Sequence, residues 1–208
     1  LGTLPGTAAE ILDDDVRSLI CPDKLTTSQW LNVVGHAHAV GLRTTATIMF
    51  GHVDLPLHWA RHLLAIRRLQ ARSGGFTEFV PLPFVHMESP MYRKGGARRG
   101  PTYRESVLMH AVSRLALNPL IANIQVSWVK MGEQGARACL AAGANDLGGT
   151  LMKRVRNHGG QVEGPRFRVS RGTLTYLPFS LAQAPGQDAQ SHERGYPTSR
   201  SAFSSSNS

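Results

Sequence analysis

Cysteine is the scarcest useful chemistry in this chain of 208 residues: only Cys21 and Cys139 are present. They lie far apart, with neither CxxC nor CxxxC spacing. That excludes a disulfide framework and any self-contained zinc or iron–sulfur site. A reducing cytoplasm is the expected setting. Long apolar runs are missing as well. No stretch approaches the ~18 residues of a membrane-spanning helix, and no signal-peptide pattern opens the chain. No membrane partner is expected. There is no nucleophile–base pair, no metal motif and no glycine-rich phosphate loop, since Gly148-Gly149-Thr150 is too short to count. Aromatics make up 7% of the chain and do not interleave with the basic residues. The formal charge of +9 therefore does not imply nucleic-acid binding.

That charge is also unevenly spread. Residues 1–152 hold 15 Lys+Arg against 11 Asp+Glu, whereas residues 153–208 hold 8 against 3. The composition changes at the same point. Residues 153–208 are rich in Ser, Pro, Gly and Arg, with one apolar island at Tyr176–Leu181, and read as a disordered or aberrant basic tail. The abrupt change after Met152 suits a frameshift or an unspliced intron. The chain starts at Leu1 rather than Met and reads like the middle of a folded region, so a fragment is expected.

Residues 1–152 alternate between helix and strand patterns. Thr3–Glu10 starts with a strand end and turns at Pro5-Gly6, and Ile11–Ile20 turns helical around Asp13-Asp14-Asp15. Thr26-Thr27-Ser28 caps a helix that runs to Val40, with Gly41 as its stop. His36 and His38 point to different faces of that helix, so they read as surface or packed histidines. Arg43–Phe50 is a buried strand, and Pro56–Ser73 is the best helix. Leu57, Ala60, Leu63, Leu64 and Leu69 form its apolar face, its arginines face solvent, and Gly74-Gly75 stops it. Phe76–Phe84 is a strand in which Pro81 and Pro83 should end regular pairing. A long loop, 85–101, carries Arg93, Lys94, Arg98 and Arg99. Thr102–Leu117 is a helix, Ile121–Trp128 a strand, Gly132–Ala142 a helix and Ala144–Leu147 a short strand.

Strands separated by helices predict an α/β fold with parallel pairing. Four or so strands cannot close a barrel of about eight, so half of a (β/α) barrel is expected. In such a fold, polar residues at strand ends gather at one mouth. Glu10, His52, Asp54, Glu78, Gln125, Ser127, Asn145 and Asp146 are the candidates. On spacing alone each is equally a cap or turn residue. Asp54, for instance, could cap the helix that Pro56 opens.

The segments TLPGTAAEILDDDVRSLICPDKLTTSQW, RTTATIMFGHVDLP, GGFTEFVPLPF, NIQVSWVKMG and GANDLGGTLM, in that order, closely resemble the radical S-adenosylmethionine enzymes of deazaflavin synthesis. The likeness is to the tyrosine-using subunit or half of the FO synthase family and covers about residues 1–152. The loop FVHMESPMYRKGGARRGPTYRE resembles this branch more than the related futalosine-route enzymes of menaquinone synthesis. A non-catalytic truncated or pseudogene product is the remaining alternative. The resemblance implies the C-terminal half of a TIM-type barrel. LPGTAAE would end the fourth strand, and 43–50, 76–82, 123–128 and 144–147 would be the fifth to eighth.

It further implies that S-adenosylmethionine, cleaved at a [4Fe–4S] cluster, yields a radical that activates L-tyrosine. The hydroxybenzyl group is then joined to 5-amino-6-(D-ribitylamino)uracil. The cluster-binding CxxxCxxC triad is absent from this chain, so its ligands would lie in a missing N-terminal half-barrel, and the chain alone should be inactive. A ring-closing radical enzyme is the implied partner subunit or domain. Matched to the family's fifth-strand pattern, Met49, Gly51 and Asp54, with Glu10 from the fourth strand, would bind S-adenosylmethionine. His52, Gln125, Ser127, Asn145 and Asp146 would bind the substrates.

Overall fold

A computed structural model describes residues 2–148 apart from Thr7 and Glu88, together with the backbone of Phe167–Ser170 and Thr173–Tyr176. Packing divides the chain into two units, Leu1–Gly148 and Gly149–Ser208. In the first unit β1 (Thr3–Leu4), β2 (Arg43–Phe50) and β3 (Phe76–Pro83) pair in parallel in the order β1-β2-β3. Helices α1 (Asp14–Ile20) and α2 (Thr27–Ala39) precede β2, and α3 (Pro56–Ser73) links β2 to β3. α4 (Pro90–Arg93), α5 (Tyr103–Leu117) and α6 (Trp128–Ala141) follow. Beyond β3 the parallel ladder continues as two single bridges, Phe79–Ile124 and Gln125–Asp146. The expected strands at 121–128 and 144–147 are thus reduced to these bridges. Trp128 already begins α6, which breaks at Gly132, where φ is 66°. The loop 85–101 holds the short helix α4.

Local chemistry explains the helix ends. Thr26 Oγ1 accepts from Gln29 N–H (3.3 Å) while Gln29 Oε1 accepts from Thr26 N–H (2.9 Å). Thr102 and Glu105 repeat this capping box at α5 (3.2 and 2.6 Å). Pro56 fits the first turn of α3, where no N–H is needed. The buried face of α3 differs from the leucine pattern. Trp59, His62, Leu63, Ile66, Leu69 and Gln70 face inward, while Leu57 and Leu64 are exposed. Gln70 is buried because its side chain completes the start of β3. It donates to the Phe76 and Leu120 carbonyls (3.0 Å each) and accepts from Phe76 N–H (2.8 Å).

Pro81 and Pro83 do not end pairing, as they lie opposite Ile48 and Phe50 in a continuous ladder. The reason is directional. Phe79 donates to Asn123 and accepts from Gln125 (2.9 Å each), so alternation turns positions 81 and 83 to that same side, away from β2. The missing N–H groups therefore leave the β2 ladder intact, and Phe84 N–H still reaches Phe50 (2.8 Å). They also explain why the ladder on the far side stops after Gln125.

The sheet has two unlike faces. Ala46, Ile48, Phe50, Phe79, Ile124 and Val126 are fully buried on the helix side. Burying a large side chain of this kind is worth about 1.5–3 kcal/mol. On the other face Thr47 and Val80 are buried, but Met49, Glu78, Leu82, Gln125 and Asp146 stay half-exposed. In the second unit, β4 (Phe167–Ser170) and β5 (Thr173–Tyr176) form an antiparallel hairpin. The expectation of a disordered or aberrant tail over 153–208 falls mostly on residues outside those described.

Several histidines are part of the core. His38 bonds Ser73 Oγ (2.6 Å) and Thr44 Oγ1 (2.8 Å) and packs edge-on to Phe76, which fits its reading as a packed histidine. His62 is fully buried, and its Nδ1 accepts from Leu12 N–H (2.9 Å). Burial, helped by the charge of Arg17, lowers its pKa to about 3. Burial also holds His38, His52 and His110 below the usual imidazole range. Below its unperturbed value of 6.5, His62 binds a proton in the unfolded chain and not in the folded one. Stability is complete above that pH and declines toward pH 3, by roughly 1.4 kcal/mol per pH unit for His62. Urea midpoints should therefore fall steadily from pH 7 to pH 4, and a flat profile would contradict these assignments.

Candidate functional site

Register stacks the half-open face in layers. Met49 lies beside Leu82, and one step down the strands Thr47 lies beside Val80. Gln125 follows Ile124, the bridge partner of Phe79, so it joins the Thr47–Val80 layer with its own partner Asp146. Glu78 lies one step further down. Burial and the charge of Asp146 both raise its pKa. Asp146 Oδ1 accepts from Gly148 N–H (2.6 Å).

Glu10 reaches this face from the turn after β1. Its carbonyl accepts from Met49 N–H (2.7 Å), and its carboxylate pairs with Lys24 (2.6 Å). Ala8 and Glu10 both adopt positive φ (66° and 45°), which disfavours non-glycine residues. Strain of this kind concentrates at functional sites. Glu10 and Met49, together with Ile20, Cys21, Pro22, Asp23 and Lys24, line a cavity of about 350 Å³. That volume falls in the ~300–1,000 Å³ range of small-ligand pockets.

Gly51, His52 and Asp54 form a separate, self-contained knot. The Asp54 carboxylate accepts from Gly51 N–H (2.9 Å), from His52 N–H (2.7 Å) and from the Trp59 indole N–H. It is 2% exposed, so these three donors account for a buried charge. The N-cap of α3 is Leu55, not Asp54. His52 donates from Nε2 to the Met49 carbonyl (3.1 Å) and accepts at Nδ1 from Val53 N–H (2.8 Å). Burial lowers its pKa against the opposing pull of Asp54, so the ring is neutral. At Gly51 φ is 93°, and an added Cβ would run into Pro101, which packs the basic loop against the end of β2. Arg98 ties the same loop down, with its N–H on the His52 carbonyl (3.1 Å) and its guanidinium on Glu105 (2.9 Å).

The remaining candidates divide similarly. Asn145 is exposed and holds Ile124 N–H (2.8 Å), Arg114 (2.9 Å) and the Ala122 carbonyl (3.1 Å). Ser127 caps α6 through its carbonyl alone, accepting from Lys130 and Met131 N–H (3.0 Å each). Of the nine predicted site residues, Met49, Glu10, Gln125 and Asp146 therefore border the half-open face. Gly51, His52, Asp54 and Asn145 are engaged in internal bonds.

Sequence reasoning missed Lys130. It extends from α6 to the Pro83 carbonyl (2.9 Å), at the end of β3. Burial lowers its pKa, and the nearby charge of Glu10 opposes that shift. The only sequence signal was a lysine two residues after an expected strand. Lys24 and Cys21, which line the cavity, were missed too.

The cysteines offer no metal centre. Cys139 is buried, which pushes its thiol up to about 11, and burial raises Cys21 as well. Among the described residues no group of three His, Cys, Asp or Glu is placed to hold a metal, and no helix is long and apolar enough to cross a membrane.

Replacing Asp54 by Ala leaves three buried donors without an acceptor, at about 1–3 kcal/mol each. Urea unfolding should show a loss of at least about 3 kcal/mol. A loss below about 1 kcal/mol would mean that the knot does not hold the turn.

Residues 73–167 match the family described as the CofH/MqnC C-terminal region. The chain is 57% identical over 196 residues to the FO synthase of Mycobacterium leprae, covering 94% of this chain and 22% of that protein. A match of that length extends past residue 152. The 5-amino-6-(D-ribitylamino)uracil–L-tyrosine 4-hydroxyphenyl transferase of Methanothermobacter thermautotrophicus is 55% identical over 167 residues, covering 80% of this chain and 46% of that protein. The transferase of the same name from Methanopyrus kandleri is 52% identical over 165 residues, covering 79% and 45%. The chain thus spans less than half the length of the relatives it matches. Residues 73–167 thus correspond to the CofH/MqnC C-terminal region, and the chain is homologous to part of FO synthase.

Proposed function

We propose that this chain is the C-terminal half of a radical S-adenosylmethionine (β/α) barrel that transfers the 4-hydroxybenzyl group of L-tyrosine to 5-amino-6-(D-ribitylamino)uracil in deazaflavin synthesis. The supporting observation is the half-open face: a parallel sheet covered by helices on one side and lined by Met49, Glu78, Leu82, Gln125 and Asp146 on the other. Parallel sheets are buried on both faces, so this face calls for further barrel wall. The relatives' greater length supports that reading. The names of two of those relatives specify the tyrosine transfer, and the loop 85–101 supports the same branch over the futalosine route.

The [4Fe–4S] cluster does not fit this chain. Its two thiols are far apart in sequence, one is fully buried, and no metal-holding group joins them among the described residues. S-adenosylmethionine does fit, in the cavity bordered by Glu10 and Met49. Met49 presents an apolar surface to the adenine, and Glu10 accepts from ribose hydroxyls. Held there, S-adenosylmethionine would supply the radical chemistry that activates tyrosine. The chain's own part is to hold ligands: Gln125 and Asp146 offer acceptors and a donor to ribityl hydroxyls and uracil N–H groups. Ser127, at the head of α6, joins them as a proposed substrate residue. Gly51, His52 and Asp54 keep the β2–α3 turn rigid beneath it. The ring-closing radical enzyme is the proposed partner.

The test is a chimera in which this chain replaces the matching part of the M. thermautotrophicus transferase. Reconstituted anaerobically with both substrates, it should form the tyrosine-derived adduct of the diaminouracil. Replacing Met49 by Asp should raise the KM for S-adenosylmethionine at least tenfold. A folded chimera that turns over a futalosine-type substrate but not the diaminouracil would overturn the assignment.

A further inference from the structure

Lys130 is the residue of the mouth that the reading above leaves without a task. Its ammonium sits half-buried between the start of α6 and the end of β3, where one proton goes to the Pro83 carbonyl at 2.9 Å. That carbonyl is free because the ladder on its side has ended. A lysine has three donors, which leaves two with no partner among the described residues. No carboxylate of the described residues lies within ion-pair distance of it, and Glu10, whose charge it feels, is already bonded to Lys24 at 2.6 Å. A half-buried cation held only by a neutral carbonyl is poorly compensated, and an anionic ligand would complete it.

We infer that Lys130 binds the α-carboxylate of an amino-acid ligand at the mouth. The inference rests on the proposed tyrosine-transfer reading, whose ligands carry two such groups: that of L-tyrosine and that of the methionyl part of S-adenosylmethionine. Both reactions of the ammonium to a carboxylate are the same chemistry, so the experiment separates the sources. Lys130 touches the ligand without entering the bond changes. Its removal therefore acts on binding.

Equilibrium binding to the chimera, which needs no turnover, compares L-tyrosine with tyramine and S-adenosylmethionine with decarboxylated S-adenosylmethionine. Each pair differs by an α-carboxylate. The unsubstituted chimera should prefer at least one carboxylate-bearing ligand by tenfold or more. Lys130→Met should abolish that preference, and Lys130→Arg should restore part of it, with melting temperatures little changed. Loss of the tyrosine preference assigns the substrate, and loss of the S-adenosylmethionine preference assigns the cofactor. Preferences equal in Lys130→Met and the parent, or absent from the parent, overturn the inference. A chimera that shows the lysine-dependent preference yet forms no adduct instead overturns the transfer reading alone.

Discussion

A parallel sheet must be covered on both faces, because each strand carries apolar side chains on each side of the pleat. In this protein the helices of the first unit cover one face completely, from Ala46 through Phe50 on β2 and on to Phe79, Ile124 and Val126. The other face is built differently. Its deeper layer, Thr47 and Val80, is closed off by the sheet's own neighbours, whereas Met49 and Leu82 above and Glu78 below stay open. Polar groups collect where the coverage is incomplete. This asymmetry gives the open face its polar chemistry and is what the proposal of additional wall rests on.

The loops at the strand ends share the work unequally. The turn after β2 is locked by Asp54, the neutral ring of His52 and the close approach of Pro101 to Gly51. Its polar groups are turned inward, so it acts as a rigid floor. The turn after β1 is strained at Ala8 and Glu10, with its carboxylate held at the cavity edge by Lys24. Lys130 arrives from the far side of β3. The mouth thus has an acidic rim at one side and a basic group at the other, both supported by backbone that local sequence fixes.

Features set by short-range chemistry were legible in the sequence. Pro56 and Gly74 bound α3, and Thr26 and Thr102 stand at the starts of α2 and α5, because each depends on residues within one turn. Parallel order was legible from the alternation of patterns. The inward face of α3 was legible only at Leu63 and Leu69. Leucine spacing pointed to Leu57 and Leu64, but the sheet buries Trp59, His62 and Gln70, whose partners Asp54, Leu12 and Phe76 lie off the helix. Pro81 and Pro83 misled for a similar reason, since proline breaks only the ladder its nitrogen faces. Asp54 read equally as a cap or a ligand, and only its three donors distinguish a buried turn acceptor. Lys130 could not be found without knowing that β3 ends beside the start of α6.

The central claim is that the half-open face is the inner wall of a larger barrel, and solvent access to Leu82 tests it directly. Leu82→Cys should react quickly with a water-soluble thiol reagent in the 208-residue chain, with site-resolved mass spectrometry separating it from Cys21 and Cys139. In the chimera that supplies the upstream half-barrel, the same position should be protected by at least tenfold. Equal labelling in both would show that nothing covers this face and would contradict the account.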